Sequence, residues 1–511
     1  MKKYTAWVLA LLFYVSVLPW NMAGAAFFNY NAHNITGDNT GRIQDFSIGS
    51  ASYTDNGYFN DLITKGPWVD VRAHIPVALH AGIAAGTDNS DLSTYMQSAV
   101  DNASKGTVLF PKGHYHGSFT ITNDTNIVGV GPQATRLTSD HSTNPAIKIN
   151  NYASQTYYGT VYIGHIGVSS SSQDGIHIDG QGHALLHDVL SLSNGRYGVY
   201  LGPTVHTTYV TLRSCVVQSN GSSGIYGRTL SAKQINVVNL LGNKVTDNGG
   251  SGIDLTANSL NIIGGSTEGN TYYGIKLSAL DVGSVEASAQ SILITGVHWE
   301  GPSTNVYGFI RVETDYTAPY TKSINHLRVF GNYATITTAN AHASATAIVS
   351  FDTNASSLNR HSIIGINDFT TDNVSRIAWY DFGASNALDE YSTVYINAQL
   401  HYDAADSPFT SLFLNRGNAK FVPLSYITGT VPPSGSPFTR NLEYLDTTTF
   451  TMYKSLGIDG AVRWRPITSR SSGPSTPTDA CTHGETAYGS GYYYWCYGTD
   501  TWRRVAYDNT W

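Results

Sequence analysis

Between residues 175 and 312, apolar and polar positions alternate in short runs, each opened by a glycine and an apolar residue. The copies are Gly175-Ile176-His177-Ile178, Gly198-Val199-Tyr200-Leu201, Gly224-Ile225-Tyr226, Gly252-Ile253-Asp254-Leu255, Gly274-Ile275-Lys276-Leu277 and Gly308-Phe309-Ile310-Arg311-Val312. Their glycines are 23, 26, 28, 22 and 34 residues apart. Alternation with period two is the signature of a strand. A unit recurring at this length, between turns rich in Asn, Gly and Ser, marks a solenoid. The pattern predicts an all-β chain: a parallel β-helix with rungs stacked about 4.8 Å apart.

The pattern changes at both ends of this region. Leu92, Tyr95, Met96, Ala99, Val100 and Ala103 recur at helical spacing. They predict a capping helix over about residues 90–103, with Ser90 or Asn89 as its N-cap. Thr107 to Phe110 then starts the first strand. Each coil carries a second turn, as in Asn243-Lys244-Val245, Gly296-Val297-His298 and Gly331-Asn332-Tyr333, where stacked Asn side chains are expected to form amide ladders. The coils continue less regularly through Ile363-Ile364-Gly365-Ile366-Asn367 and are expected to end near residue 400. Residues 429–437 and 469–477 read as linkers, so a small β segment occupies residues 401–470. An aromatic module with Tyr492, Tyr493, Tyr494, Trp495 and Trp502 follows over residues 471–511.

Composition places the chain outside the cytoplasm. Lys2 and Lys3, the apolar stretch Ala6 to Leu18 and the small residues Ala23-Gly24-Ala25 read as a signal peptide over residues 1–25. The apolar run is short for a bilayer, so the mature chain is expected to be secreted, extracellular or periplasmic, with no membrane segment. Residues 26–66 form an aromatic, Asn-rich lead-in. In an oxidising compartment Cys481 and Cys496 are expected to form a disulfide, and Cys215 to be a buried structural residue. The net charge of −7 argues against general nucleic-acid binding. It leaves room for a local basic groove and an anionic substrate. No CxxC or HExxH is present, so there is no zinc signature.

Gly86-Thr87-Asp88, the helix, the run Gly106-Thr107-Val108-Leu109-Phe110-Pro111-Lys112-Gly113-His114-Tyr115 and Ile127-Val128-Gly129-Val130-Gly131-Pro132 follow one another in order. That succession resembles the start of the pectate-lyase-like β-helix superfamily, over roughly residues 67–400. The superfamily includes polysaccharide lyases, polygalacturonase-type hydrolases, epimerases and tailspike depolymerases. The resemblance, with the rule for parallel crossovers, implies a right-handed solenoid that acts on a polysaccharide. The C-terminal module resembles short terminal modules of secreted and tail-fibre proteins, a likeness that also suits a non-catalytic glycan-binding adhesin.

The residue after each Gly-apolar pair points outward, because its neighbours point into the core. This predicts a surface column of His177, Tyr200, Tyr226, Asp254, Lys276 and, allowing one bulged residue, Arg311. A second column two positions on would hold Asp179, Arg228, Thr256, Ser278 and Glu313. β-Elimination on a uronate needs a base for the proton beside the carboxyl group, a cation for the carboxylate and an acid at the leaving oxygen. Lys276, His177 or a tyrosine could move protons, while Arg228 or Arg311 could hold the carboxylate. Lys276 and Arg311 resemble the catalytic pair of alginate and dermatan lyases of this fold. Hydrolysis needs two carboxylates instead, and Asp247, Glu268 and Glu300 fall at one turn of three consecutive coils. Asp174 in Gln173-Asp174-Gly175-Ile176 resembles the polygalacturonase Asn-Thr-Asp-Gly motif, but that family's Asp-Asp pair and Gly-His-Gly are missing. Trp299 is a candidate sugar platform. No cofactor is signalled outright; calcium could bind where Asp254 meets Asp179 or Glu268.

Overall fold

The computed structural model describes residues 67–371, with breaks at 151–158, 171, 181, 203–206, 229–234, 280–290, 315–323, 325, 338, 346, 352–361 and 366. Outside that stretch it describes separate strands between 36 and 53 and between 378 and 506. The signal peptide and most of the lead-in fall outside the described residues.

The chain forms a right-handed parallel β-helix. One parallel sheet collects the Gly-apolar runs: β1 (Phe119–Ile121), β2 (Ile147–Ile149), β3 (Ile176–Asp179), β4 (Val199–Gly202), β5 (Ile225–Gly227), β6 (Ile253–Leu255), β7 (Tyr273–Ala279), β8 (Gly308–Thr314), β9 (Ala347–Phe351) and β10 (Ala378–Asp381). The remaining strands of each coil stack in parallel on those of the coils before and after it. Inward residues such as Ile147, Ile176, Ile225, Ile275 and Ile310 are fully buried and form one continuous apolar core. The first rung pairs Trp68–Asp70 with Thr107–Phe110, and a late one pairs Thr393–Ile396 with Lys420–Pro423. Parallel stacking therefore carries on past the expected end near residue 400.

Among the described residues, two corners recur in left-handed backbone. The first is held by His165, Asp188, Ser214, Gly242, Gly264, Gly296 and Gly331; the second by Ser193, Ser219, Asp247 and Gly269. Asparagines follow the second corner and form the expected ladder. Asn194 Nδ2 donates to Asn220 Oδ1 at 2.7 Å, Asn220 to Asn248 at 2.7 Å and Asn248 to Asn270 at 2.8 Å. Each oxygen also accepts the backbone N–H of the preceding asparagine, so the buried turn leaves those donors satisfied. A second ladder at the first corner joins Asn332 to Asn367 at 3.0 Å. There Asn243 accepts the Cys215 N–H at 2.9 Å.

The N-terminal end is closed by α1 (Val77–Ala85), which the sequence reading did not anticipate, and α2 (Ser93–Ala103). The second helix starts later than Ser90, because Asp91 turns its carboxylate back to accept the Ser93 N–H at 3.0 Å. Its apolar stripe of Met96, Ala99, Val100 and Ala103 is buried on the first coil. Gln97 lies along the free edge of β1. Its Oε1 accepts the Thr120 N–H at 2.8 Å, and its Nε2 donates to the Thr120 carbonyl at 2.9 Å. No described helix is long and apolar enough to cross a membrane.

Candidate functional site

Strand pairing fixes the outward column without ambiguity. Lys148 pairs with His177, His177 with Tyr200, Tyr200 with Tyr226, Tyr226 with Asp254, Asp254 with Lys276 and Lys276 with Arg311. The bulged residue expected before Arg311 is not needed: the pairing keeps one offset throughout, and Tyr273 rather than Gly274 stands opposite Gly308. The sequence reading missed four members, namely Thr120 and Lys148 before His177, and Ser350 and Asp381 after Arg311. Their runs lack the opening glycine; Ala146-Ile147-Lys148-Ile149 carries alanine there.

The central rungs hold alternating charges. Arg228 Nη2 lies 3.2 Å from Asp254 Oδ2, Lys276 Nζ 2.8 Å from Glu313 Oε2, and Arg311 Nε 3.7 Å from Glu313 Oε1. Burial raises the Asp254 carboxyl above its ordinary value, against the opposing pull of Arg228 and Lys276. For Arg228 burial acts the other way, but Asp254, through its charge and hydrogen bond, together with Tyr226 and Glu313 outweighs it, and the guanidinium is held more firmly protonated. Burial pushes the Tyr226 phenol up to about 12, so it stays a proton donor at neutral pH.

Aromatic rings line the rungs on the N-terminal side. Tyr197 and Tyr226 stack with centroids 4.2 Å apart and planes 6° from parallel. Tyr200 leans on both, and His177 lies 4.5 Å from Tyr200. The Arg228 guanidinium sits 5.5 Å over the Tyr226 ring. Arg196 approaches Tyr197 at 5.3 Å and Asp174 at 3.6 Å. Burial drops the His177 imidazole to about 4, so the ring is neutral at ordinary pH. Its Nε2 is buried without a hydrogen-bond partner and faces Gly202, where a β-carbon would lie 2.3 Å from it.

Several expected site residues lie elsewhere. Asp179 is only 2 % exposed, and Thr256 and Ser278 beside it in the second column are equally buried, so only Arg228 and Glu313 of that column reach the surface strip. Trp299 is no platform. Its flanking residues His298 and Glu300 point out, so period two sends the indole inward, where it stacks on Phe309 at 5.7 Å. Asp247, Glu268 and Glu300 do not converge. Asp247 is a left-handed corner residue bonded by Gln218 at 3.3 Å; Glu268 pairs with Lys244 at 3.4 Å and Glu300 with His298 at 3.0 Å. Only Glu268 and Glu300 share a register, on strands of another sheet.

Among the described residues, no three His, Cys, Asp or Glu side chains are grouped to hold a metal ion. Cys496 is buried in Tyr492–Gly498, and Cys481 lies outside the described residues. Cys215 is buried with a free thiol, as expected.

The central arrangement offers cations for a carboxylate, a protonated phenol, a lysine in contact with a carboxylate, and a stacked aromatic surface. Such a set suits the binding and proton transfers of acidic sugars.

The family model described as the right-handed β-helix region matches residues 84–285. Solved structures similar to this chain include the A-module of a mannuronan C-5 epimerase from Azotobacter vinelandii, at 14 % identity, over 71 % of this chain and 99 % of that one, with a TM-score of 0.46. Another is a doubly mutated tailspike of E. coli bacteriophage HK620, at 12 % identity over 78 % and 73 %, with a TM-score of 0.49. A third is an α-1,3-glucanase from Streptomyces thermodiastaticus, at 12 % identity over 71 % and 68 %, with a TM-score of 0.36. No curated protein sequence matches the chain. With its stacked parallel rungs and the matching region at 84–285, this chain is a right-handed parallel β-helix protein.

Proposed function

We propose that this protein is an exported enzyme that cleaves a uronate-containing polysaccharide by β-elimination. One observation carries the reading: Tyr226, Asp254, Lys276 and Arg311 occupy one register on four consecutive rungs, with Glu313 bridging Lys276 and Arg311. In this reading Arg311 and Arg228 hold the uronate carboxylate, which makes the neighbouring C5 proton more acidic. Lys276 acts as the neutral amine: it takes that C5 proton and becomes an ammonium, which Glu313 holds across the 2.8 Å contact. The C5 electron pair forms the C4–C5 double bond as the C4–O bond breaks, and the Tyr226 phenol protonates the leaving oxygen. Tyr197, Tyr200 and Tyr226 supply ring faces for flanking sugars.

A hydrolytic reading is favoured by a separate observation, the raised carboxyl of Asp254. A carboxyl raised by burial is a readier donor to the glycosidic oxygen than an ordinary one, with Glu313 as the second carboxylate.

The assay is ultraviolet absorbance of the unsaturated product on pectate, alginate and glycosaminoglycans, run beside reducing-end release. Both signals support elimination, whereas new reducing ends without absorbance support hydrolysis. Binding without either identifies an adhesin and ends the enzymatic reading.

A further inference from the structure

The column does not stop at the aromatic rungs. Its first two members, Thr120 and Lys148, line a cleft of roughly 610 Å³ between α2 and the first coils. The rest of the lining is uncharged hydroxyls and carboxamides, including Ser98, Asn102 and Asn144, apart from Asp101 and His141 and the apolar Phe119 and Pro145. Asp101 is held by the Gln97 amide at 2.8 Å, and His141 by Ser93 at 3.1 Å. Lys148 differs from Arg228, Lys276 and Arg311: among the described residues it has no carboxylate partner. A half-buried, unpaired ammonium in a cleft of hydroxyls and amides matches the chemistry of an anionic sugar.

Resting on the reading above that the column binds an acidic polysaccharide, we propose that this cleft is a distal subsite that takes a uronate of the same chain, its carboxylate on Lys148. From Lys148 to Lys276 is five rung steps, or roughly 24 Å at the strand spacing. A pyranose advances along its chain about as far as one rung. The cleft is therefore reached only by a substrate that extends about five sugars from the central charges, and it selects for long chains.

The experiment measures binding by titration calorimetry on the full chain, with oligogalacturonates and oligomannuronates of about four and about eight units. Lys148→Ala should weaken the octamer about tenfold, the worth of one charge-assisted contact, with the tetramer moved less than twofold. Lys148→Arg should restore the octamer. Equal losses at both lengths, or none at either, overturn the proposal. The two readings fail separately. Octamer binding that depends on Lys148 without any cleavage sustains the cleft and removes the lyase. Elimination with no Lys148 effect at any length removes the cleft alone.

Discussion

The Lys276 ammonium lies 2.8 Å from the Glu313 carboxylate on the next rung, and the same carboxylate also faces Arg311. Lys276 reaches outward from a rung whose inward neighbours, Ile275 and Leu277, are buried. Its removal therefore separates chemistry from folding. Lys276→Ala should lower kcat on a cleaved polysaccharide by about two orders of magnitude or more, with a change in unfolding free energy of about 1 kcal/mol or less. Steady-state rates and urea unfolding check both halves. Full activity in Lys276→Ala, Tyr226→Phe and Asp254→Asn alike would put the chemistry on another face.

Arg228 and Asp254 should behave differently, because Asp254 is only 7 % exposed. Arg228→Ala strands a buried carboxylate and should destabilise the fold by about 3 kcal/mol. Asp254→Asn removes the charge along with its need for a partner and should cost less. Denaturant midpoints of the two variants give the comparison.

His177 makes stability depend on pH. Its folded value of about 4 lies below the ordinary 6.5, so between those values the unfolded chain binds more protons. Stability is then fully present above pH 6.5 and falls as pH drops toward 4, by about 3 kcal/mol from this group. Asp174 and Asp254, both raised by burial, act in the opposite sense. Urea unfolding at pH 7 and pH 5 should show a shallower pH dependence in His177→Gln; an unchanged slope would remove His177 as the source.

The asparagine ladder should be costly to interrupt. Asn248 accepts both the N–H and the side-chain amide of Asn220, and Asn248→Ala leaves those buried donors without a partner. A loss of about 3 kcal/mol is expected, readable by thermal or urea unfolding.

Cys215 should resist thiol reagents in the folded protein, since burial raises its thiol to about 11. Labelling with iodoacetamide before and after denaturation tests this; rapid native labelling would contradict the buried environment.

Much of the fold was legible because a parallel solenoid repeats its local rules. The Gly-apolar phrase marks where each run begins, and period two then assigns His177, Tyr200, Tyr226, Asp254 and Lys276 to one face. The same rule, applied to Trp299, sends it inward between His298 and Glu300; chemical appeal as a platform overrode the alternation. Asp179 obeys the period and is still buried, because exposure depends on what covers a strand as well as on its phase. Lys148 escaped notice because alanine stands where the other runs have glycine. Asp247 looked like a catalytic acid because its role is conformational: aspartate is among the few non-glycine residues that accept the left-handed corner. Ion pairs such as Lys276–Glu313 join coils across 37 residues of chain, and no local pattern announces them.

The Gln97 amide, laid along the edge of β1, gives the molecule a direction of growth. A strand seeking to add there finds the Thr120 N–H and carbonyl already taken by a side chain. The edge of β1 is thus closed as a template for another chain. Loss of α2 would reopen it, and end-to-end fibre formation would then begin from this end of the solenoid.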